Sequence, residues 1–305
     1  MTTSVLYDAP GPVARRRSAM TSVVGAVVLL ALAAWLVSTL AAERTTAAGA
    51  VLPGLFDASR WDIFADPVVW QSLGRGALNT LGMAGVAAVL ALIIGVLFSF
   101  GRTARSRWIR FPVAVLLEFF RGMPVLLMML FVLLVFSTGT YWAGVSALAV
   151  YNGAIIGEAL RAGIRSLPAG QREAGLSIGL HPIRTRLIIE FPQAFRQMLP
   201  IIIAQLVVLL KDTSLAYIVG YSELLRTGQN LTNFFGNRYN FSFFFIVLAM
   251  YLVMNLILSW VARVVSRRTA SRTRPAVVDA TVTGPTGGAA TATASGKAGG
   301  AAGPD

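Results

Sequence analysis

Few residues in this chain could do chemistry, and most of those lie inside long apolar runs. Lys211, Asp212, Thr213 and Ser214 are consecutive and together offer an ammonium, a carboxylate and two hydroxyls. Neighbouring residues on a helix point about 100° apart, so Lys211 and Asp212 do not face each other. Each needs another helix, a companion chain, water or a solute. A zwitterion such as an α-amino acid presents the complementary charges, and a polar cluster that fixes helix packing accounts for the same residues. Glu118 and Arg121 are three apart, as are Glu158 and Arg161, which puts each pair on one helix face as a candidate ion pair. Asn79, Thr80 and Asn152 are uncharged polar residues in apolar surroundings, read as interhelical hydrogen-bonders or as further lining of a solute path.

Catalysis is poorly provided for. There is no cysteine, so no disulfide or thiolate metal site forms, and the single histidine, His181, makes no metal site alone. No carboxylates cluster, and no glycine-rich phosphate loop ending in Lys and Ser/Thr is present. The expectation is a chain without catalytic residues, metal or bound cofactor.

These polar residues are positioned by an unusually apolar chain. Of 305 residues, 56% are hydrophobic and only 13% charged, where a soluble domain carries roughly 25% charged. Lipid is the solvent that such a composition suits. The net charge of +13 does not indicate nucleic acid, because the basic residues fall between apolar runs and form no basic face.

A helix needs about 20 mainly apolar residues to cross the hydrocarbon core. Six stretches qualify: 19–42, 76–100, 111–136 (interrupted by Glu118 and Arg121), 142–160, 199–219 and 241–262. The first follows Arg15–Arg17 and is too long for a cleaved signal peptide, so it reads as an anchor behind a cytoplasmic tail, 1–18. Eighteen arginines fall in the segments on one side and five on the other, which by the positive-inside rule makes both termini cytoplasmic. Residues 275–305 are rich in Ala, Gly, Thr and Pro and bury too little to offset their ordering entropy, so they read as a disordered cytoplasmic tail.

The cytoplasmic loop 161–198 is the most informative stretch. Leu167-Pro168-Ala169-Gly170 stops the preceding helix, and Gln171 to Ile178 forms a short helix ended by Gly179. Leu180-His181-Pro182 then turns the chain into a second helix that runs to Phe191-Pro192. Arg172, Glu173 and Ser177 are left available to a partner.

Glu173-Ala174-Gly175, three residues, Gly179, nine residues, then Ile189-Glu190-Phe191-Pro192 resembles the Glu-Ala-Ala loop of ABC importer permeases, with Gly175 and Phe191 where Ala and Leu are usual. Three further segments resemble the polar amino-acid branch of that family: Glu118-Phe119-Phe120-Arg121-Gly122-Met123-Pro124, Glu158-Ala159-Leu160-Arg161-Ala162-Gly163-Ile164, and Leu210-Lys211-Asp212-Thr213-Ser214-Leu215. The opening Val5 to Pro12 looks like actinobacterial glutamate permease subunits.

The resemblance covers about 76–268 and implies an all-α, polytopic fold of the type I importer (MetI-like) class, with an extra first helix outside it. It implies a coupling helix, carrying Arg172, Glu173, Ala174, Gly175, Ser177 and Gly179, that docks on a dimer of ATP-binding subunits. ATP and Mg²⁺ would be bound by that partner. A second permease, expected to be a paralogue, and an external substrate-binding protein complete the implied bacterial membrane assembly. Glutamate is the implied solute, with glutamine, arginine or histidine as alternatives. A self-sufficient secondary transporter would show a coupling-ion site and often an internal repeat, and no repeat is visible.

Overall fold

The computed structural model describes residues 11–45, 49 and 51–270. The expected tail 275–305 and the opening residues 1–10 lie outside them. Helix α1 (Pro12–Ala41) starts on a proline, whose fixed φ and missing N–H suit a first helical turn. The Arg15–Arg17 triplet is therefore already helical. No residue of α1 is buried, so its whole apolar surface is left to lipid. An antiparallel hairpin of β1 (Arg44–Thr45) and β2 (Val51–Leu52), followed by two short 3₁₀ turns, leads to α2 (Pro67–Arg102). Asp66 caps α2 by accepting a 2.8 Å hydrogen bond from the Val68 amide.

The third stretch is not one straight span. It is two helices, α3 (Arg107–Gly122) and α4 (Val125–Phe136), bent by 105°. Pro124 causes the break, because a residue before proline is driven out of helical geometry, and Met123 sits at ψ 129°. Glu118 and Arg121, expected to interrupt the span, lie within α3. At 1.5 Å per residue the halves are about 24 and 18 Å long, so neither crosses alone.

The chain continues through α5 (Thr140–Ser166), α6 (Ala169–Ser177), α7 (Pro182–Thr185), α8 (Phe191–Asp212), α9 (Leu224–Phe235) and α10 (Asn240–Ala270). A wide π-helical turn, Arg186–Glu190, joins α7 to α8. The rod expected to stop at Phe191-Pro192 therefore runs unbroken from Pro182 to Asp212. Pro192 has no N–H to give and its ring crowds the preceding turn, a defect that the looser winding just before it relieves. Among the described residues five helical stretches are long and apolar enough to cross a bilayer, or six where the bent pair is counted as one broken span.

Packing centres on α2 and α5, whose backbones approach closely through glycine. A methyl at Gly157 would lie 2.9 Å from the Gly95 carbonyl oxygen, and one at Gly153 would lie 3.1 Å from that of Ala91. The close approach expected of Gly153 and Gly157 is thus made against α2. Around this contact Met83, Ala87, Leu148, Ile156, Ile202 and Leu209 are buried. A second apolar cluster of Val69, Leu73, Leu224, Phe243 and Val247 closes the opposite end of the bundle from α6, pinning α9 between α2 and α10. Large apolar side chains such as Leu78, Leu97, Leu134, Leu252 and Trp260 face outward, as a lipid surround suits.

Candidate functional site

The loop 161–198 is built on two chain reversals. Pro168 ends α5 and starts α6, and Gly179 adopts φ +82°, the left-handed geometry that glycine takes without steric cost. His181 then caps α7 with its ring nitrogen facing the Ile183 amide at 3.4 Å. The helix expected over 171–178 lies at 169–177.

This helix is fastened by its middle. Gly175 is its one buried residue, and a methyl there would fall 2.6 Å from Thr185 Cγ2 and 2.9 Å from Ile189 Cδ1. Glycine is therefore what lets α6 lie on the α7–α8 rod. Gln193 on α8 also donates to Gln171 at 3.1 Å. Arg172 reaches Glu190 at 4.0 Å, and Arg186 reaches it at 3.6 Å. Glu173, Ala174, Ser177 and Gly179 are exposed, beside an outward patch of Leu176, Ile178 and Ile183. The result is an anchored base with a bare, partly apolar upper face.

At the other end of the rod, Lys211 and Asp212 occupy the last two positions of α8, beside Leu210, which lines one concavity with Leu81 and Ala84 of α2 and Met254 of α10, about halfway along those helices. The rod is longer than the expected 199–219, and α8 gives way to a 3₁₀ turn at Thr213. Lys211 is exposed and Asp212 half-buried, and among the described residues neither has an ion-pair partner within 4 Å. Thr213 is buried and spends its hydroxyl on the Leu210 carbonyl at 2.6 Å, and Ser214 donates to the Lys211 carbonyl at 2.9 Å. The two charges are free for a solute; the two hydroxyls are already occupied in donation.

The uncharged polar residues do structural work. Asn79 donates to the Ser222 carbonyl at 2.8 Å, and the Thr80 hydroxyl accepts from the Leu224 amide at 3.1 Å, so α2 holds the turn that opens α9. Asn152, fully buried on α5, accepts from Gln205 of α8 at 2.8 Å and donates to the Leu148 carbonyl at 2.8 Å. Arg161 makes two 2.9 Å contacts from Nε to Glu158, and Arg102 of α2 adds a third charge at 3.8 Å. Glu118 and Arg121 lie 3.4 Å apart on the open face of α3.

Sequence reasoning missed Glu223. It is fully buried and accepts from the amides of Leu225 (on Oε2) and Arg226 (on Oε1) at 2.7 Å each, while the Tyr251 hydroxyl of α10 also donates to Oε2. This carboxylate caps α9 and ties it to α10. The signal was available in a charge set just before the apolar rhythm of Leu224, Gly228, Leu231 and Phe235.

The sequence model for inner-membrane components of binding-protein-dependent transport systems matches residues 87–271. The chain belongs to this family. It is a multi-pass inner-membrane component of a bacterial binding-protein-dependent transport system and not itself an enzyme. The glutamate transport system permease protein GluD of Corynebacterium glutamicum is 39% identical over 184 residues, covering 57% of this chain and 67% of GluD. The glutamine transport system permease protein GlnP of Escherichia coli is 34% identical, covering 53% and 79%. Among solved structures, an amino acid ABC transporter crystallised with histidines aligns with a TM-score of 0.59 at 27% identity, covering 65% of this chain and 94% of that one. An inward-facing MetNI methionine ABC transporter aligns at 0.57 and 20% identity, a likeness of fold.

Proposed function

We propose that this permease carries glutamate inward, with α6 as the element that couples it to ATP hydrolysed on a partner subunit. The observation that carries the coupling role is the anchoring of α6: its middle is locked on the α7–α8 rod through Gly175 while its upper face stays bare. An ATPase that grips this helix would move the rod as one piece, because the rod is continuous from Pro182 to Asp212. The far end of that rod bears Lys211 and Asp212. A pull on α6 at one end of the bundle would thus reposition a free cation and a free anion within it, which is alternating access in mechanical terms. ATP and Mg²⁺ belong to the partner in this reading, both termini are cytoplasmic, and the companion permease is a paralogue.

Glutamate is preferred because a glutamate permease is 39% identical to this chain. The 34% identity of a glutamine permease makes glutamine the second reading. The roles divide by geometry: Lys211 and Asp212 line the path with Ser214 beside them, whereas Thr213, Asn79, Thr80 and Asn152 hold the helices that form it. The test is radiolabelled uptake in a strain expressing the chain with its ATPase, binding protein and companion. Lys211→Gln and Asp212→Asn should each lower glutamate uptake at least tenfold at unchanged membrane level. Deletion of Glu173 to Gly179 should abolish it. Uptake that persists without any ATPase, or is preferentially of another solute, contradicts the respective half of the proposal.

A further inference from the structure

Beside the coupling helix is a cavity of about 560 Å³ whose wall carries five arginines. Arg102 ends α2, Arg110 comes from the first turn of α3, Arg165 from the end of α5, Arg172 from α6 and Arg186 from the wide turn. Only two carboxylates share that wall, Glu173 and Glu190, and Glu190 is divided between Arg172 and Arg186. Arg102 reaches only Glu158, which Arg161 already holds. Arg110 and Arg165 have no carboxylate within 4 Å among the described residues. The Nε atoms of Arg102 and Arg186 are shut off from solvent without a hydrogen-bond acceptor. Buried guanidinium donors left unpaired are unfavourable, and an incoming oxyanion would relieve them.

A second concavity, of about 760 Å³, adjoins the first and shares Arg102 and Arg110 with it. Its remaining lining is mostly apolar, and two aromatic side chains, Trp108 at 90% and Phe111 at 72% exposure, stand beside it uncovered. Aromatic rings at helix starts are characteristic of the bilayer interface. An arginine chamber opening directly onto an aromatic groove is the outline of an amphiphile: a phosphate in the first and acyl carbons along the second.

We propose that an anionic phospholipid seats at the α2–α3 elbow, its phosphate among Arg102, Arg110 and Arg165 and its chain against Trp108 and Phe111. The groove selects lipid over a soluble anion, since free phosphate would gain nothing from Trp108. Because Arg172 and Glu173 of α6 form part of the same wall, the lipid also braces that helix. This consequence rests on the coupling role proposed above; the binding does not.

The test is lipid retention by the assembled transporter, measured by native mass spectrometry with phosphatidylglycerol titrated into phosphatidylcholine and inorganic phosphate added as competitor. Wild type should retain phosphatidylglycerol preferentially, and phosphate should not displace it. Each arginine facing an anionic lipid contributes about fivefold, so Arg110→Gln with Arg165→Gln should weaken retention about 25-fold. Trp108→Ala should weaken it too. Undiminished retention by the double variant, or displacement by phosphate with no effect of Trp108→Ala, overturns the proposal. Should the double variant not assemble, absence of any lipid preference in wild type overturns it equally. Lost glutamate uptake with retention intact counts against the transport reading alone.

Discussion

Adding one methyl at Gly175 tests whether α6 must lie where it does. In Gly175→Ala the new carbon would sit 2.6 Å from Thr185 Cγ2 and 2.9 Å from Ile189 Cδ1, whereas carbon atoms rest about 3.5–4.0 Å apart. Roughly 1 Å must be found. Ile189 meets the methyl with the end of a flexible side chain and can yield. Thr185 cannot easily do so: it is buried, stiff at χ1, and its hydroxyl reaches the His181 carbonyl at 3.3 Å. The strain therefore falls on the seat of α6, at about 1–3 kcal/mol, the usual cost of overpacking. On the proposed coupling role, a helix lifted from its rod would still meet the ATPase but transmit less of its movement. In proteoliposomes ATP hydrolysis should continue while solute moved per ATP falls several-fold. Thr185→Ala removes the obstructing carbon, so the double variant should recover most of the lost coupling. A single variant that couples normally, or a double variant no better than the single, would refute the reasoning.

Other expectations follow from the helix contacts. Asn152→Leu strips Gln205 of its acceptor inside the bundle and should destabilise the detergent-solubilised protein by about 1–2 kcal/mol in thermal unfolding; adding Gln205→Leu should recover part of that. Gly157→Ala places carbon 2.9 Å from a backbone oxygen that cannot rotate away, forcing α2 from α5. It should cost about 1–3 kcal/mol and lower the unfolding temperature, with no rescue from trimming Phe98. Glu223→Ala leaves the two amides that open α9 and the Tyr251 hydroxyl unpaired and should cost about 1–3 kcal/mol, whereas Tyr251→Phe, which removes one bond, should cost about 1 kcal/mol. Hydrogen exchange at the start of α9 should rise in the first of these far more than in the second.

Much of this architecture was legible because lipid imposes a simple rule on composition. Six apolar stretches implied six crossings, and Pro168 and Gly179 marked the ends of α6 to within two residues. What escaped depended on side-chain context. Pro124 broke a span that its charges do not, since Glu118 and Arg121 simply point outward from α3. Pro192, which read as a stop, was absorbed by a loosened turn that leaves no trace in periodicity. As a result Lys211 and Asp212 became the closing residues of a long rod. At the site, spacing alone identified the Glu158–Arg161 pair. It could not reveal that Arg102 joins them from another helix, or that Asn152 pairs with Gln205, because such partners are chosen by tertiary packing.

The wide turn at Arg186–Glu190 changes what kind of linkage the long rod is. Each α-helical residue advances the winding by about 100°, and a π turn takes up an extra residue, so the two ends of the rod are held at an angular offset that uniform winding would not give. Tightening that turn would rotate α6 around the rod's axis without shortening the rod appreciably. On the proposed coupling role the linkage would carry torque as well as displacement, and excising a single residue between Arg186 and Glu190 would swing the exposed side of α6 to a different bearing.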